Sequence, residues 1–153
     1  MQTALQERWG QDAADELDPD RCGYWDSLSS AEDALPVLDI VEAEMVAAGY
    51  PEGDRFGLRL ALEEALVNAI RHGNQGERAR RVSVRFEVGP DRVLAEVEDE
   101  GEGFDPSQVP DPLAPENLER SSGRGLLLMR HYTTWLRFNR LGNCVALCKD
   151  RSA

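Results

Sequence analysis

Leu62-Glu63-Glu64-Ala65-Leu66-Val67-Asn68-Ala69-Ile70-Arg71-His72-Gly73-Asn74 reads as one helix. Apolar residues at 58, 62, 65, 66 and 69 recur at the spacing of a buried helical face. Gly73 and Asn74 follow as terminators. Glu64, Asn68, Arg71 and His72 fall on the opposite face. A carboxylate and a carboxamide one turn apart on a core-seeking helix need a reason to be there. Two glycine-bearing segments downstream supply one: Asp99-Glu100-Gly101-Glu102-Gly103-Phe104-Asp105 and Ser121-Ser122-Gly123-Arg124-Gly125-Leu126-Leu127-Leu128-Met129.

The chain of 153 residues is long enough for one domain with a real core. Its hydrophobic fraction of 41% and charged fraction of 30% are those of an ordinary globular protein. No apolar run approaches the roughly 20 residues that cross a bilayer, and Met1 to Gly10 carries no signal pattern. A cytoplasmic protein without a membrane partner is therefore expected. Cys22, Cys144 and Cys148 have neither zinc-site nor redox-pair spacing and read as small hydrophobes. The net charge of −12 argues against direct nucleic-acid binding. Residues 1–40 hold ten acids and two arginines and so contribute −8 of it. Residues 1–22 are expected to form an acidic extension, either a solvated tail or an attraction for a basic partner, ahead of a domain at 23–153. Lys149 is the only lysine and no GxxxxGK is present, which excludes a P-loop.

Along the chain, Gly23 to Leu28 reads as an edge strand. Ser30, with Asp33 three positions on, caps a helix that carries Val37, Ile40, Val41, Met45 and Val46. Asp54 is expected to cap the next helix. Alternation at Val82, Val84, Phe86 and Val88, and again at Val93, Ala95 and Val97, gives an antiparallel pair that delivers Asp99 at its end. Residues 104–121 are irregular, with four prolines, and a loop of that length in a compact domain is usually functional. Residues 122–132 form a helix, and 134–139 with 143–149 a last hairpin. Helices and antiparallel strands in this order predict an α+β two-layer sandwich, a mixed, mainly antiparallel sheet covered by helices on one face.

The chemistry follows residue by residue. A carboxylate at Asp99 can accept from an exocyclic amine such as adenine N6, and would repel the carbonyl that guanine presents there. Gly101 and Gly103 let backbone approach a base or sugar. A Gly-x-Gly at Gly123 and Gly125 that opens a helix offers free N–H groups to phosphate, with Arg120 and Arg124 beside it. Glu64 can take a proton from a hydroxyl, and Asn68 is a neutral oxygen ligand for Mg²⁺. Each segment taken alone also admits a plainer reading: an acidic turn, a flexible helix start, a solvated helix face. His72 at the helix end caps it or bonds locally.

Taken together, the three segments resemble the Bergerat ATP-binding fold of histidine kinases, gyrase, heat-shock chaperone ATPases and mismatch-repair ATPases (the GHKL superfamily). Glu64-Ala-Leu-Val-Asn68-Ala-Ile-Arg-His72-Gly73 resembles the helix motif of the anti-sigma factor serine/threonine kinases. The resemblance runs from about residue 24 to 150. It implies Glu64 as general base and Asn68 as Mg²⁺ ligand. It implies an adenine pocket of Asp99, Gly101 and Gly103, and an ATP lid over 104–122 that includes Arg120. His72, Gly123, Arg124, Gly125 and Leu126 complete the implied ATP contacts. The implied activity is phosphorylation of an anti-anti-sigma, STAS-type protein together with sequestration of a sigma factor, and the family suggests a homodimer. Two other readings stand beside it. One is a partner-switch module that binds ATP and transfers nothing. The other is the catalytic half of a split histidine kinase, which would need a separate helical dimer carrying the phosphoacceptor.

Overall fold

The computed structural model describes residues 23–103, 124–139 and 141–153. The expected extension over 1–22 and the lid, with Arg120 and Gly123, lie outside the described residues. The elements run β1 (Gly23–Leu28), α1 (Ala31–Ala47), α2 (Glu52–Asn68), β2 (Val82–Val88), β3 (Arg92–Glu98), α3 (Arg124–Tyr132), β4 (Trp135–Phe138) and β5 (Cys144–Asp150). The strands form one sheet in the order β1-β2-β3-β5-β4. A mixed sheet is expected from the sequence, but every described pairing is antiparallel. Two hairpins and two returning strands leave no parallel neighbours. The α+β class stands.

Alternation decides which sheet face meets the helices. Val82, Val84 and Phe86 of β2, Val93, Ala95 and Val97 of β3, and Val145 and Leu147 of β5 are buried in one core. Leu58, Leu62 and Leu66 of α2 enter that core with no exposed surface, so α2 is the central helix. At about 1.5–3 kcal/mol per buried Leu, these three side chains are a main reason α2 lies on the sheet. Trp25 stacks on Phe86 at 5.3 Å and ties edge strand β1 to the same layer. The periodicity of α1 is only half used. Val37, Val41 and Met45 are buried, whereas Ile40 and Val46 are 41% and 53% exposed.

Asp54 does not cap α2. The cap position is Pro51, whose carbonyl accepts from the Asp54 N–H at 3.1 Å. The Asp54 side chain is buried and turns to the C-terminus, accepting from the Ser152 N–H at 2.8 Å and the Ser152 hydroxyl at 2.6 Å. Burial alone would raise this carboxyl, but the Ser152 bonds, with Lys149 and Arg151 nearby, hold it below the usual carboxylate range. Arg151 donates to the carbonyls of Ala48, Gly49 and Pro90. The end of the chain thus locks the α1–α2 corner to the β2–β3 turn. Cys144 and Cys148 are buried. No helix among the described residues is long and apolar enough to cross a membrane.

Candidate functional site

The core spacing of α2 leaves Glu64 and Asn68 half-buried on its free side, while neighbouring Glu63 is exposed. The helix does not stop at Asn68. It widens into a π turn over Ala69–Gly73, in which the Asn74 N–H reaches back to the Ala69 carbonyl at 2.8 Å. Such turns are rare and concentrate at functional sites. Here Ala69 and Ile70 stay buried while His72 comes to the rim of a cavity.

That cavity has a volume of about 410 Å³, within the range of small-molecule sites. Its apolar walls include Ala65, Val97, Leu126, Met129, Phe138 and Val145. Its polar lining includes Asn68, His72, Gln75, Asp99, Glu102 and Asn143. An apolar slot with a few convergent polar groups suits a flat, partly polar ring. Gly103, Gly125 and Leu126 also line it, and Gly103 has a φ of +84°.

Asp99 follows β3 directly and is 8% exposed. Its Oδ1 accepts from the Gly101 N–H at 2.8 Å. Burial pushes its carboxyl above the ordinary range, against smaller opposing effects of the Gly101 N–H and of Arg80. A buried carboxyl at a cavity wall offers its second oxygen as a hydrogen-bond acceptor to whatever fills the cavity. The helix end and the β3 exit touch only because two side chains are missing. A Cβ on Gly73 would strike the Asp99 carboxylate, and one on Gly101 would strike the Gly73 carbonyl. Gly73 ends the helical segment, with Asn74 as its cap, and also permits this close approach. Gly101 serves the same contact and does not line the cavity.

At the other end, α3 begins at Arg124 and lies across α2. A Cβ on Gly125 would sit 2.5 Å from Glu64 Oε2 and 3.3 Å from Asn68 Nδ2. Gly125 thus brings the start of α3 onto the carboxylate–carboxamide pair. Glu64 itself stands behind Gly125 and is not among the cavity-lining residues. Arg71 is exposed and does not line the cavity either. Among the described residues no group of three or more His, Cys, Asp or Glu side chains could hold a metal ion. The Asn68 carboxamide at the cavity wall is a neutral group of the kind that can serve a cation carried mainly by phosphate oxygens and water.

Two residues that hold the Asp99 segment carry no sequence signal for that role. Asn74 is 2% exposed, donates to the Arg81 carbonyl at 3.0 Å and accepts from the Glu100 N–H at 2.8 Å. Asn143 donates to the Asp99 carbonyl at 3.2 Å. Both hold the segment that carries Asp99, from opposite sides. An asparagine after a helix and an asparagine in a hairpin turn look like ordinary punctuation.

Residues 28–149 match the histidine kinase-like ATPase domain. The serine-protein kinase RsbW of Bacillus velezensis is 37% identical over 87 residues, which cover 53% of this chain and 54% of that protein. The serine-protein kinase RsbW of Bacillus subtilis is 33% identical over 108 residues, 66% of this chain and 68% of that protein. That of Staphylococcus epidermidis is 30% identical over 89 residues, 54% and 56%. The chain thus spans about half the length of the first and third of these relatives and about two thirds of the second. With a matched segment that runs from the end of β1 to the end of β5, the chain belongs to the histidine kinase-like ATPase domain family.

Proposed function

We propose that this protein is an ATP-dependent serine/threonine kinase of the anti-sigma type, acting in the cytoplasm on a STAS-type anti-anti-sigma protein and sequestering a sigma factor. The observation that carries the reading is the contact of Gly125 with Glu64 and Asn68 at one end of a cavity whose other wall holds buried Asp99. That layout separates a base-selecting group from a reaction-bearing pair. The resemblance of relatives named serine-protein kinases supports the choice of hydroxyl side chain as acceptor.

In this reading Asp99 accepts from the adenine 6-amine and disfavours guanine. Val97, Leu126 and Met129 exclude water from the ring. Asn68 offers its carboxamide oxygen to Mg²⁺, and the first N–H groups of α3 face the phosphates. Mg²⁺-ATP, when bound, supplies the phosphoryl group and the charge neutralisation for its in-line transfer. Glu64 takes the proton of the partner's hydroxyl. His72 at the rim, with Arg120 of the lid segment and with Gly123 and Arg124 beyond it, is assigned to phosphate contact by resemblance. Residues 1–22 are proposed to be an extension outside this ATP-binding domain, and the chain is proposed to dimerise as the family suggests.

The alternative reading is a module that binds ATP to order a docking surface and transfers nothing. Phosphate transfer from labelled ATP to a co-encoded STAS-type protein separates the two. Label on a serine or threonine of that protein supports the kinase. Sigma-factor capture without any transfer supports the module.

A further inference from the structure

Asp99 stands one residue beyond β3, where ladder pairing with β5 has ended at Glu98 and Cys144. It is nevertheless gripped by both backbone groups. Its N–H donates to the Asn143 carbonyl at 2.9 Å, and its carbonyl accepts from Asn143 Nδ2 at 3.2 Å. One residue of the β4–β5 turn thus closes both bonds, the second through its side chain.

That side chain is itself held. Asn139 Oδ1 accepts from the N–H groups of Gly142 at 2.7 Å, Asn143 at 3.1 Å and Cys144 at 3.2 Å. Three backbone donors identify that atom as the oxygen, so the other Asn139 atom is the amine. The amine donates to Asn143 Oδ1 at 2.7 Å, which leaves Asn143 Nδ2 for the Asp99 carbonyl. The chain of donors therefore has one self-consistent orientation. It runs from the turn, through two carboxamides, to the backbone of the carboxylate at the cavity wall.

We infer that Asn143, held by Asn139, is a positioning residue for base selection: it fixes the backbone of Asp99 so that its carboxylate meets an exocyclic amine at the cavity wall. The inference rests on the proposed assignment of the cavity to an adenine nucleotide. A carboxylate selects by a directed hydrogen bond, and a group left free to shift loses that direction first.

The test is calorimetric binding of ATP and of purine riboside triphosphate, which is ATP without its 6-amine, to the full chain. Asn143→Asp keeps the size and the acceptor for Asn139 and removes the donor to Asp99. It should weaken ATP about tenfold more than purine riboside triphosphate, the order of one lost directed hydrogen bond, beyond the loss common to both nucleotides that an added charge in the cavity wall brings. Asn139→Ala leaves Asn143 in place but frees it, and should show the same amine-selective loss to a smaller extent. It keeps the test valid should Asn143→Asp not fold, as thermal melting will show. Equal weakening of both nucleotides, or of neither, overturns the inference. If Asp99→Asn erases a preference that both asparagine variants keep, positioning fails while the adenine assignment stands. If the wild type does not distinguish the two nucleotides, the adenine assignment fails and takes the positioning role with it.

Discussion

Replacing Asp99 by asparagine exchanges one oxygen for an amine and should move affinity and stability in opposite directions. The side chain keeps an oxygen for the Gly101 N–H, now 2.8 Å from Oδ1. It loses the acceptor assigned to the adenine amine. Damage to a buried, charged hydrogen bond costs about 1–3 kcal/mol, so ATP affinity should fall by roughly five- to 150-fold. The new amine can donate to the guanine carbonyl, so the preference for ATP over GTP should narrow or invert. The fold should gain. Burial has pushed the Asp99 carboxyl above its ordinary range, so the ionised group opposes folding at neutral pH. The sign follows: a carboxyl whose folded pKa lies above the unfolded value destabilises above that pKa and ceases to do so once protonated. Asp99→Asn should therefore melt higher than the wild type at pH 7, and the gap should close as pH falls through the folded pKa of Asp99. Calorimetry with both nucleotides and melting across pH 4–8 read the two effects. Equal ATP and GTP affinity in the wild type, or unchanged ATP affinity in the variant, would refute the base-selecting role.

Three further outcomes are expected. Gly125→Ala places a methyl 2.5 Å from Glu64 Oε2, the far end of a flexible side chain. Melting should change little, by under about 1 kcal/mol, while phosphoryl transfer slows at least about tenfold as Glu64 is displaced. Asp54→Asn should cost about 1–2 kcal/mol at pH 7 by weakening the two Ser152 bonds, measured by denaturant titration. Because the Asp54 carboxyl is held below its usual value, that cost should be full above pH ~4 and fade as pH falls through the lower folded pKa. Asn68→Ala should weaken Mg²⁺-dependent ATP binding and turnover together, whereas binding measured in chelator should be little affected.

The sheet and helices were legible because short-range pattern fixes them. Alternation in β2 and β3 and the 58-62-65-66-69 face of α2 are local properties that packing then used. The pair Glu64 and Asn68 was legible for a related reason: polar groups on a core helix are out of place. What escaped was contact between residues far apart in sequence. Asp54 looks like a helix cap, but its partner is Ser152, 98 residues away. Gly73 looks like a terminator and is one, but its missing Cβ also makes room for Asp99. Asn74 and Asn143 look like turn residues, and only the fold brings them to either side of the β3 exit. Ile40 and Val46 fit the helical period of α1 yet face outward, since period alone does not say how wide the buried stripe is.

Single-turnover transfer from labelled ATP to a STAS-type partner, run on the wild type and on Glu64→Gln with nucleotide affinity measured in parallel, tests the phosphoryl-transfer assignment most directly. Glutamine keeps the size and packing beside Gly125 and cannot accept the proton. The expected result is transfer by the wild type, slowed about 10²-fold or more in the variant, with ATP affinity within a few-fold of wild type. Transfer at the wild-type rate by Glu64→Gln would remove Glu64 as the base, and no transfer by the wild type to any such partner that it nevertheless captures would contradict the kinase itself.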